Sequence, residues 1–283
     1  MWNKYERKDF IRISNLYTIF ERKCVPGYDF KGESHEFWEM LYVVDGAVSV
    51  TAGADVYKLK KNAVIFHKPH EFHKFRASEE KGARLFIMSF DAAGGLTDYM
   101  RELTVYLSPE QSEAMNRLLQ YCRSHLTDYD SEKKLNDFEY CIGATEVFLQ
   151  TTCSLFELML LSLYENSAYK IDRLHSDDTQ LFAEAIEIIE SQADRFLSVP
   201  ELAEMCGVSV TKLKTLFYKY TGLAPHSYCV KAKLLRAKQL FAEGCTIGEA
   251  AQQLGFCNQY YFTTVFKREL GITPSTYIKS MIR

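Results

Sequence analysis

Two hydrophobic patterns divide this chain and predict an α+β protein with two domains. Apolar and polar residues alternate in the first third with the period of a β-strand. Beyond residue 180, apolar residues recur at helical spacing, and a pair of helices is repeated. We therefore predict an N-terminal small β-barrel or sandwich with a helical extension, followed by an all-α C-terminal domain. A length of 283 residues is consistent with two or three domains.

The strand pattern is clearest from residue 35 onwards. One face of this predicted strand carries His35, Phe37, Glu39, Leu41 and Val43, and the other carries Trp38, Met40, Tyr42 and Val44. Asp45 and Gly46 then predict a hairpin turn. Further short strands are predicted over residues 47–51, 63–67 and 84–90, because turn signals separate these apolar runs.

Two helices are predicted to extend this domain. The first begins with the capping box Ser108-Pro-Glu-Gln111, and its apolar stripe consists of Met115, Leu118, Leu119, Cys122 and Leu126. The second, about residues 143–164, is apolar on nearly all sides and must be buried, either in its own domain or against a second subunit. Glu157 and several polar residues interrupt it, so it falls short of the roughly 18 uninterrupted apolar residues of a membrane span. No membrane partner is expected.

The two halves of the chain carry opposite charge. Residues 196–283 contain 11 Lys and Arg against 5 Asp and Glu, whereas the remaining residues contain 23 against 32. A basic module on an acidic body favours a polyanion partner, although a solvated basic face is an equally good explanation of charge alone. The eight cysteines are scattered without a CxxC pair, and no secretory leader is evident. A reduced, cytoplasmic setting is therefore expected.

An internal repeat distinguishes between these explanations. The segments Ser198-Val-Pro-Glu201 and Thr246-Ile-Gly-Glu249 are both capping boxes, and each opens a short helix. Gly207 and Gly255 follow where a left-handed turn would end these helices. At an offset of 49 residues, Leu213, Phe217, Gly222, Pro225 and Tyr228 correspond to Phe262, Phe266, Gly271, Pro274 and Tyr277. A short helix, a glycine turn and a second helix predict a helix-turn-helix, present twice.

The second helix of each copy leaves a polar, acid-poor face outward. Its buried stripe is Leu213, Leu216 and Phe217 in the first copy, and Tyr261 or Phe262 with Val265 and Phe266 in the second. The predicted DNA-contacting residues are Ser209, Thr211, Lys212, Lys214, Thr215 and Tyr218, and Asn258, Gln259, Tyr260, Thr263, Thr264 and Lys267. Amides, hydroxyls and lysines suit base edges and phosphates, whereas carboxylates would be repelled. The alternative is a helical protein-interaction module whose polar face contacts only water.

A helix over residues 227–241 is predicted to join the two copies. Its candidate packing residues are Tyr228, Ala232, Leu235, Leu240 and Phe241. At about 1.5 Å per residue it spans roughly 22 Å, which suits two recognition helices in successive major grooves.

These features resemble the DNA-binding domain of the AraC/XylS family of bacterial transcription regulators. The resemblance covers residues 180–280, and the second copy, IGEAAQQLGFCNQYYFTTVFKRELGITPSTY, carries the more specific signature. It implies that two helix-turn-helix units joined by a long helix bind double-stranded DNA, with RNA polymerase as a possible further partner. Two departures stand out: Lys233 occupies the place of a usual arginine, and so does Ile278 after the closing Tyr277.

The N-terminal run SHEFWEMLYVVDG and the later IFHKPHEFHKF resemble the cupin-type sensory domain of AraC-like regulators. In metal-binding cupins, two histidines, a glutamate and a later histidine converge on one ion. His35, Glu39 and His73 occupy three of those places, and Glu33 stands in place of the first histidine. The set is incomplete, so a bound metal remains an open alternative.

The favoured interpretation of these residues is a small-molecule pocket without a metal and without a cofactor. His35, Phe37, Glu39 and His73 are its predicted ligand-binding residues, and a sugar or related metabolite is one candidate effector. His67 and His70 are expected in a loop or at the rim.

These predictions give four segments. They are a cupin-like sensing domain (1–100), a helical extension that the resemblance implies for homodimerisation (101–168), a linker (169–179) and the DNA-binding domain (180–283). The expected function is transcription regulation without catalysis: an effector that prefers one arrangement of the protein shifts the occupancy of DNA. The alternative is a metal-dependent cupin enzyme, such as an isomerase or dioxygenase, fused to a DNA-binding module.

Overall fold

The computed structural model describes residues 8–126, 146–165 and 169–281. The chain divides into two compact units, Met1–Leu174 and His175–Arg283. The division falls inside the predicted linker. That linker is shorter than predicted, because Tyr169–Lys170 form a strand and a helix begins at Asp177, which leaves residues 171–176 without regular structure.

In the described residues, the N-terminal unit contains an antiparallel sheet of eight strands. The strands are β1 (Arg12–Cys24), β2 (Trp38–Ala52), β3 (Asp55–Lys60), β4 (Ala63–His67), β5 (His73–Ala77), β6 (Ala83–Ala93), β7 (Thr104–Tyr106) and β8 (Tyr169–Lys170). Their order is β1-β6-β2-β4-β7-β8, and β3 and β5 also pair with β2. The long β2 is therefore the strand around which the sheet is organised.

The predicted hairpin turn at Asp45-Gly46 is wrong. β2 continues through these residues, with a bulge between Val43 and Asp45 in its pairing with β6. Gly46 has a φ of 77°, and a Cβ atom there would lie 2.3 Å from the carbonyl oxygen of Gly82. Only glycine permits this backbone conformation and this close approach without strain. Beyond the bulge, β2 pairs with β3 and β5 instead of β4.

The predicted alternation of the two faces is confirmed from Trp38 onwards, whereas His35 and Phe37 precede β2 and the predicted strand is too long at its start. Trp38, Met40 and Tyr42 belong to a core that lies between the sheet and the helices. Leu41 and Val43 belong to a second core formed by the other face. Residues of β3 to β6 complete this second core: Leu59, Ile65, Phe75, Leu85 and Ile87. The two apolar faces explain why β2 is buried along most of its length.

Three helices cover the first core: α1 (Leu96–Met100), α2 (Pro109–His125) and α3 (Glu146–Glu165). The capping box of Ser108 and Gln111 at the start of α2 is confirmed. So is its buried stripe of Met115, Leu118, Leu119, Cys122 and Leu126. The predicted start of α3, residues 143–145, lies outside the described residues.

Helix α3 is buried on one face only. Phe148, Phe156, Met159, Leu160 and Leu163 are buried in the first core. In contrast, Val147, Leu158 and Tyr164 are 69%, 62% and 52% exposed. By length and composition α3 is apolar enough to cross a membrane, but a core helix passes the same test. Glu157 on this helix accepts a hydrogen bond from the backbone N–H of Ile13 at 2.8 Å, which ties α3 to β1.

The described part of the C-terminal unit is helical. Its helices are α4 (Asp177–Ser191), α5 (Val199–Met205), α6 (Val210–Thr221), α7 (Pro225–Ala242), α8 (Ile247–Gln253), α9 (Gln259–Leu270) and α10 (Pro274–Met281). The pairs α5–α6 and α8–α9 are the predicted repeat. Both capping boxes are confirmed. Gly207 and Gly255 have φ angles of 64° and 69°, so the predicted left-handed turns are also confirmed.

The linking helix α7 packs partly as predicted. Tyr228, Leu240 and Phe241 are buried. Ala232 and Leu235 are only half-buried, and Leu234 and Ala237 take their place in the core. The buried stripe of α7 therefore runs through Lys233, Leu234 and Ala237 rather than through Ala232 and Leu235.

Of the two departures from the family pattern, Lys233 is buried and Ile278 is half-buried. Lys233 Nζ donates hydrogen bonds to the carbonyl oxygens of Ala193, at 2.5 Å, and Leu254, at 2.9 Å. The ammonium lies 4.7 Å from the ring centroid of Phe196. Burial lowers the pKa of Lys233. Ile278 packs against the apolar core of the second helix-turn-helix. Lys233 therefore joins α7 to the chain after α4 and to the end of α8.

Candidate functional site

The outward face of α6 has the composition predicted for DNA contact. Leu213, Leu216 and Phe217 are buried, as predicted. The predicted contact residues Ser209, Thr211, Lys212, Lys214, Thr215 and Tyr218 are all exposed. In the described residues Lys214 forms no ion pair, so its charge faces solvent.

Helix α9 presents the equivalent face in the second copy. Phe262, Val265 and Phe266 are buried, whereas Tyr261 is 46% exposed, which settles the choice between Tyr261 and Phe262. The predicted contact residues Asn258, Gln259, Tyr260, Thr264 and Lys267 are exposed, and Thr263 is half-buried. The only acid on α9, Glu269, pairs with Arg268 in the last turn.

The first predicted contact residue of each copy also caps its helix. Ser209 Oγ accepts a hydrogen bond from the N–H of Lys212 at 3.2 Å, and Asn258 Oδ1 accepts one from the N–H of Tyr261 at 2.8 Å. A side chain that satisfies a free backbone N–H is fixed at the helix start. In a helix-turn-helix, this end of the second helix carries the base contacts.

Two further contact residues bond back to their own helix. Thr215 Oγ1 donates to the carbonyl oxygen of Thr211 at 2.9 Å, and Thr264 Oγ1 donates to that of Tyr260 at 3.0 Å. Because the hydroxyl hydrogen is engaged, each threonine offers its methyl group and an acceptor oxygen. The two residues are 49 positions apart, so the repeat preserves this arrangement.

One carboxylate lies against the lysines of α6. Asp178, in the first turn of α4, contacts Lys212 Nζ at 2.5 Å through Oδ1 and Lys219 Nζ at 2.8 Å through Oδ2. These hydrogen bonds from Lys212 and Lys219 lower the pKa of Asp178. Sequence reasoning missed this contact, because nothing local to either helix signals it.

The second site is a cavity of about 170 Å³ in the N-terminal unit. Its apolar lining residues are Phe20, Phe30, Phe37, Phe75 and Ile87, and its polar ones are Thr18, Arg22, Glu33, Ser34, His35, Glu39 and Ser89. Three of the four predicted ligand-binding residues thus line one cavity. The fourth, His73, contacts Glu39 at its polar end. Sequence patterns did not identify the lining residues from β1 and β6, whose positions depend on strand pairing.

Glu39 is the centre of the polar end. Its carboxylate oxygens lie 3.5 Å from His35 Nε2 and 3.4 Å from His73 Nε2. Ser89 Oγ donates a hydrogen bond to Glu39 Oε2 at 3.1 Å. The other ring nitrogens are held by the backbone: Nδ1 of His35 is 2.9 Å from the carbonyl oxygen of Phe37. His73 Nδ1 is 3.1 Å from the carbonyl oxygen of Glu71.

The electrostatics of this cluster follow from burial and from the facing histidines. Burial alone raises the pKa of Glu39, but His73 and His35 outweigh it and hold that pKa well below its usual value. Burial alone lowers the pKa of His73, but the Glu39 carboxylate outweighs it and the pKa is raised. Glu39 is therefore an anion at the polar end of the cavity.

The expectation for His67 is wrong. It lies on β4, is 1% exposed, and stacks on His73 with ring centroids 4.3 Å apart. Burial and the neighbouring His73 lower its pKa. A neutral ring therefore supports the position of His73. His70 lies in a turn, as expected, with a φ of 66°.

The residues present fit a divalent cation. One donor atom from each of Glu33, His35, Glu39 and His73 lies within 4.8 Å of the others. The Nε2 atoms of His35 and His73 are buried without a hydrogen-bond partner. Imidazole and carboxylate together suit a divalent transition metal, which would draw these four groups together.

Comparison with known proteins finds a matching family model in each part of the chain. Residues 15–138 match the family model described as "AraC-like ligand binding domain", and residues 202–280 match "Helix-turn-helix domain". The chain is an AraC-type DNA-binding transcriptional regulator.

Individual relatives of this AraC-type regulator span nearly its whole length. It is 21% identical over 275 residues to the HTH-type transcriptional activator RhaS of Yersinia pestis bv. Antiqua (strain Angola), covering 94% of this chain and 95% of that protein. It is 22% identical over 271 residues to RhaS of Escherichia coli (strain SMS-3-5 / SECEC), covering 94% and 93%. The structure of ToxT from Vibrio cholerae O395 aligns with a TM-score of 0.37 and 14% identity, covering 96% and 98%. The relatives are transcriptional activators, so the enzyme alternative has no support.

Proposed function

We propose that α6 and α9 of this AraC-type regulator read two neighbouring stretches of major groove on one DNA duplex. The outward faces of the two helices are alike, which supports this proposal. Each begins with a capping side chain, Ser209 or Asn258, and each has a threonine at the equivalent position, Thr215 or Thr264. The two helices together carry one acid, Glu269. The basic balance of residues 196–283 adds attraction to phosphates along both helices.

The contact residues fall into two roles. The amide of Gln259 and the side chains of Thr211, Thr215, Thr263 and Thr264 are suited to base edges, because amides form hydrogen bonds with adenine and threonine methyl groups contact the thymine methyl. The other contact residues end in ammonium groups, phenols or capping atoms: Ser209, Lys212, Lys214, Tyr218, Asn258, Tyr260 and Lys267. We assign these to phosphates and to orientation.

The N-terminal cavity is the proposed effector site. Its size admits a small molecule, its aromatic walls suit the apolar face of a ring, and Glu39, His35 and Arg22 offer polar contacts. A sugar or related metabolite has this combination of properties. The proposed setting is the cytoplasm, and RNA polymerase is a proposed further partner.

The exposed side of α3 is the proposed homodimer surface. Val147, Leu158 and Tyr164 lie exposed on a helix whose other side is buried in the core. A second copy of the chain would cover these residues and remove their apolar area from water.

Alanine variants of α9 test the two roles. Gln259→Ala and Thr263→Ala should lose about 1 to 3 kcal/mol of discrimination at particular base pairs, provided each makes a good base contact. Lys267→Ala should weaken binding to all sequences and flatten the salt dependence of affinity. Titrations of a selected duplex and a scrambled duplex at several salt concentrations measure both effects.

Lys279→Ala is the matched control for Lys267→Ala, since Lys279 is exposed on α10 outside the proposed contact set. It should leave affinity close to that of the unchanged protein. Equal losses for all four variants on both duplexes would overturn the assignment of roles.

A further inference from the structure

We propose that the N-terminal cavity binds a small hydroxylated carboxylate, such as a sugar acid, and that Arg22 recognises its carboxylate group. The ligand class rests on the proposed effector role of this cavity, to which it adds the charge of the effector. Three features carry it: the isolation of Arg22 from protein acids, the phenol that holds its guanidinium, and the acceptors at the polar end.

Strand β1 directs Arg22 into the cavity. Successive side chains of a strand point to opposite faces. Thr18, Phe20 and Arg22 therefore share the face that lines the cavity. Glu21 points to the other face, where two other arginines contact its buried carboxylate. The acid next to Arg22 in the chain is thus engaged elsewhere.

Arg22 has no carboxylate partner among the described residues. In that part of the chain, every arginine other than Arg12 and Arg22 forms an ion pair with Asp or Glu. Arg12 is exposed, so water solvates its charge, whereas Arg22 is half-buried in the cavity wall. Burial removes hydration from a guanidinium, and an anion must replace it. A ligand carboxylate would supply that anion.

Tyr28 holds the guanidinium in place. Arg22 Nη1 donates a hydrogen bond to Tyr28 Oη at 2.7 Å, and Arg22 Cζ lies 5.5 Å from the centroid of the same ring. It also lies 5.8 Å from the ring centroid of Phe20. The bond to Tyr28 engages one edge of the guanidinium. A planar fork of further N–H donors remains for the two oxygens of a carboxylate.

The polar end around Glu39 offers acceptors rather than donors. Ser89 Oγ donates to Glu39 Oε2 at 3.1 Å, so the Thr18 hydroxyl is the donor in its bond of 2.7 Å to Ser89 Oγ. Both hydroxyl hydrogens are therefore engaged, and the carboxylates of Glu33 and Glu39 line the cavity as acceptors. Hydroxyl groups of a ligand would donate to them.

The two kinds of contact are separated along the cavity. Thr18 and Arg22 are four residues apart on β1, which is about 13 Å between their Cα atoms. A ligand that reaches both therefore carries its carboxylate at one end and its hydroxyl groups at the other. Between them the stacked rings of Phe30 and Phe75, with centroids 5.1 Å apart, offer an apolar wall to its carbon skeleton.

Titrations of the full-length protein test this ligand class. Each acid is paired with an uncharged counterpart: D-glucuronate with D-glucose, D-galacturonate with D-galactose, and D-gluconate with D-glucitol. Calorimetry gives the affinities, and the melting temperature reports binding independently. We expect at least one acid to bind about tenfold or more tightly than its counterpart, because hydrogen bonds to a charged group typically contribute at least that factor.

Arg22→Gln should remove this preference, so that the acid and its counterpart bind with similar affinity. Arg22→Lys keeps the charge without the planar fork and should keep only part of the preference. Lys23→Gln is the matched control, since it removes the same charge from the next, exposed position of β1. Its preference should equal that of the unchanged protein. Melting curves without ligand establish that each variant is folded.

Four outcomes would contradict the assignment. No acid bound more tightly than its counterpart, or an unchanged preference in Arg22→Gln, would overturn the role of Arg22. D-Glucose 6-phosphate bound more tightly than D-glucuronate would overturn the carboxylate as the recognised anion. Hexanoate bound more tightly than D-gluconate would overturn the role of the hydroxyl groups.

DNA binding measured with the same ligands separates the ligand class from the proposed function. Uncharged sugars that bind and change the affinity for a selected duplex would refute the acidic class alone. An acid that binds through Arg22 but leaves the affinity for DNA unchanged would refute the effector role alone.

Discussion

At the scale of residues, the most informative contact in the C-terminal unit is that of Asp178. Its carboxylate contacts both Lys212 and Lys219 on α6, whereas Lys267 on α9 has no ion pair in the described residues. An exposed ion pair contributes little to stability. It does, however, reduce the charge that Lys212 and Lys219 offer to a phosphate.

Asp178→Asn should therefore strengthen binding to DNA of any sequence and steepen its salt dependence. Every phosphate that an additional lysine neutralises adds about 0.9 to the slope of log affinity against log salt, so two freed lysines would add up to about 2. Affinities of the full-length protein for a scrambled duplex, measured over a range of salt concentrations, provide the slope.

Asp177→Asn provides the control, because it removes the same charge from the same turn and Asp177 is exposed. Its slope should change by clearly less than that of Asp178→Asn. If the two variants behave alike, only net charge matters and the ion pairs of Lys212 and Lys219 have no part in DNA binding.

At the scale of elements, the two helix-turn-helix copies use equivalent glycines in different surroundings. Gly207 and Gly255 both have positive φ. A Cβ atom on Gly207 would have no atom within 4 Å, whereas one on Gly255 would lie 2.2 Å from the carbonyl oxygen of Asp194. The first glycine is needed only for its backbone conformation, and the second also for close packing.

Gly207→Ala should cost about 1 to 2 kcal/mol of unfolding free energy, which is the usual penalty for a left-handed backbone. Gly255→Ala should cost at least about 1 kcal/mol more, because the added methyl group overlaps with the backbone. Urea unfolding followed by the helical circular dichroism signal compares the two. Equal losses would mean that the chain near Asp194 moves away freely.

Elements governed by local chemistry were predictable from the sequence. The capping boxes at Ser108, Ser198 and Thr246 and the turn at Gly255 depend on residues within one or two turns, and the structure has each of them. The pair Asp45-Gly46 was misread because a positive-φ glycine serves a hairpin and a bulge equally well. The distant partner Gly82 decides between the two.

The candidate sites were predictable only in part, because some of their contacts join residues that are distant in the sequence. The resemblance pointed to His35, Glu39 and His73, but of the site residues on the predicted strand face only Glu39 lies on β2, because His35 and Phe37 precede it. The burial of His67 depends on strands that are remote in sequence. The carboxylate of Asp178 meets α6 only through the packing of the helical unit, so no local pattern could reveal it.

At the scale of the whole molecule, the regulator combines an acidic N-terminal unit with a C-terminal unit in which residues 196–283 are basic. Residues 196–283 hold 11 basic against 5 acidic side chains, and the acids on α6 and α9 are confined to Glu269. The repeat gives the C-terminal unit two similar faces, and α7 lies between them in the chain. Two recognition helices on one chain predict a DNA site with two separate blocks of preferred bases.

Selection of duplexes from a random pool by the full-length protein tests this central claim most directly. We expect two blocks of preferred bases with centres about 10 to 10.5 base pairs apart, which is one helical turn. Thr211→Ala should relax one block and Gln259→Ala the other. A selected site with a single block, or a loss of preference in the same block with both variants, would contradict it.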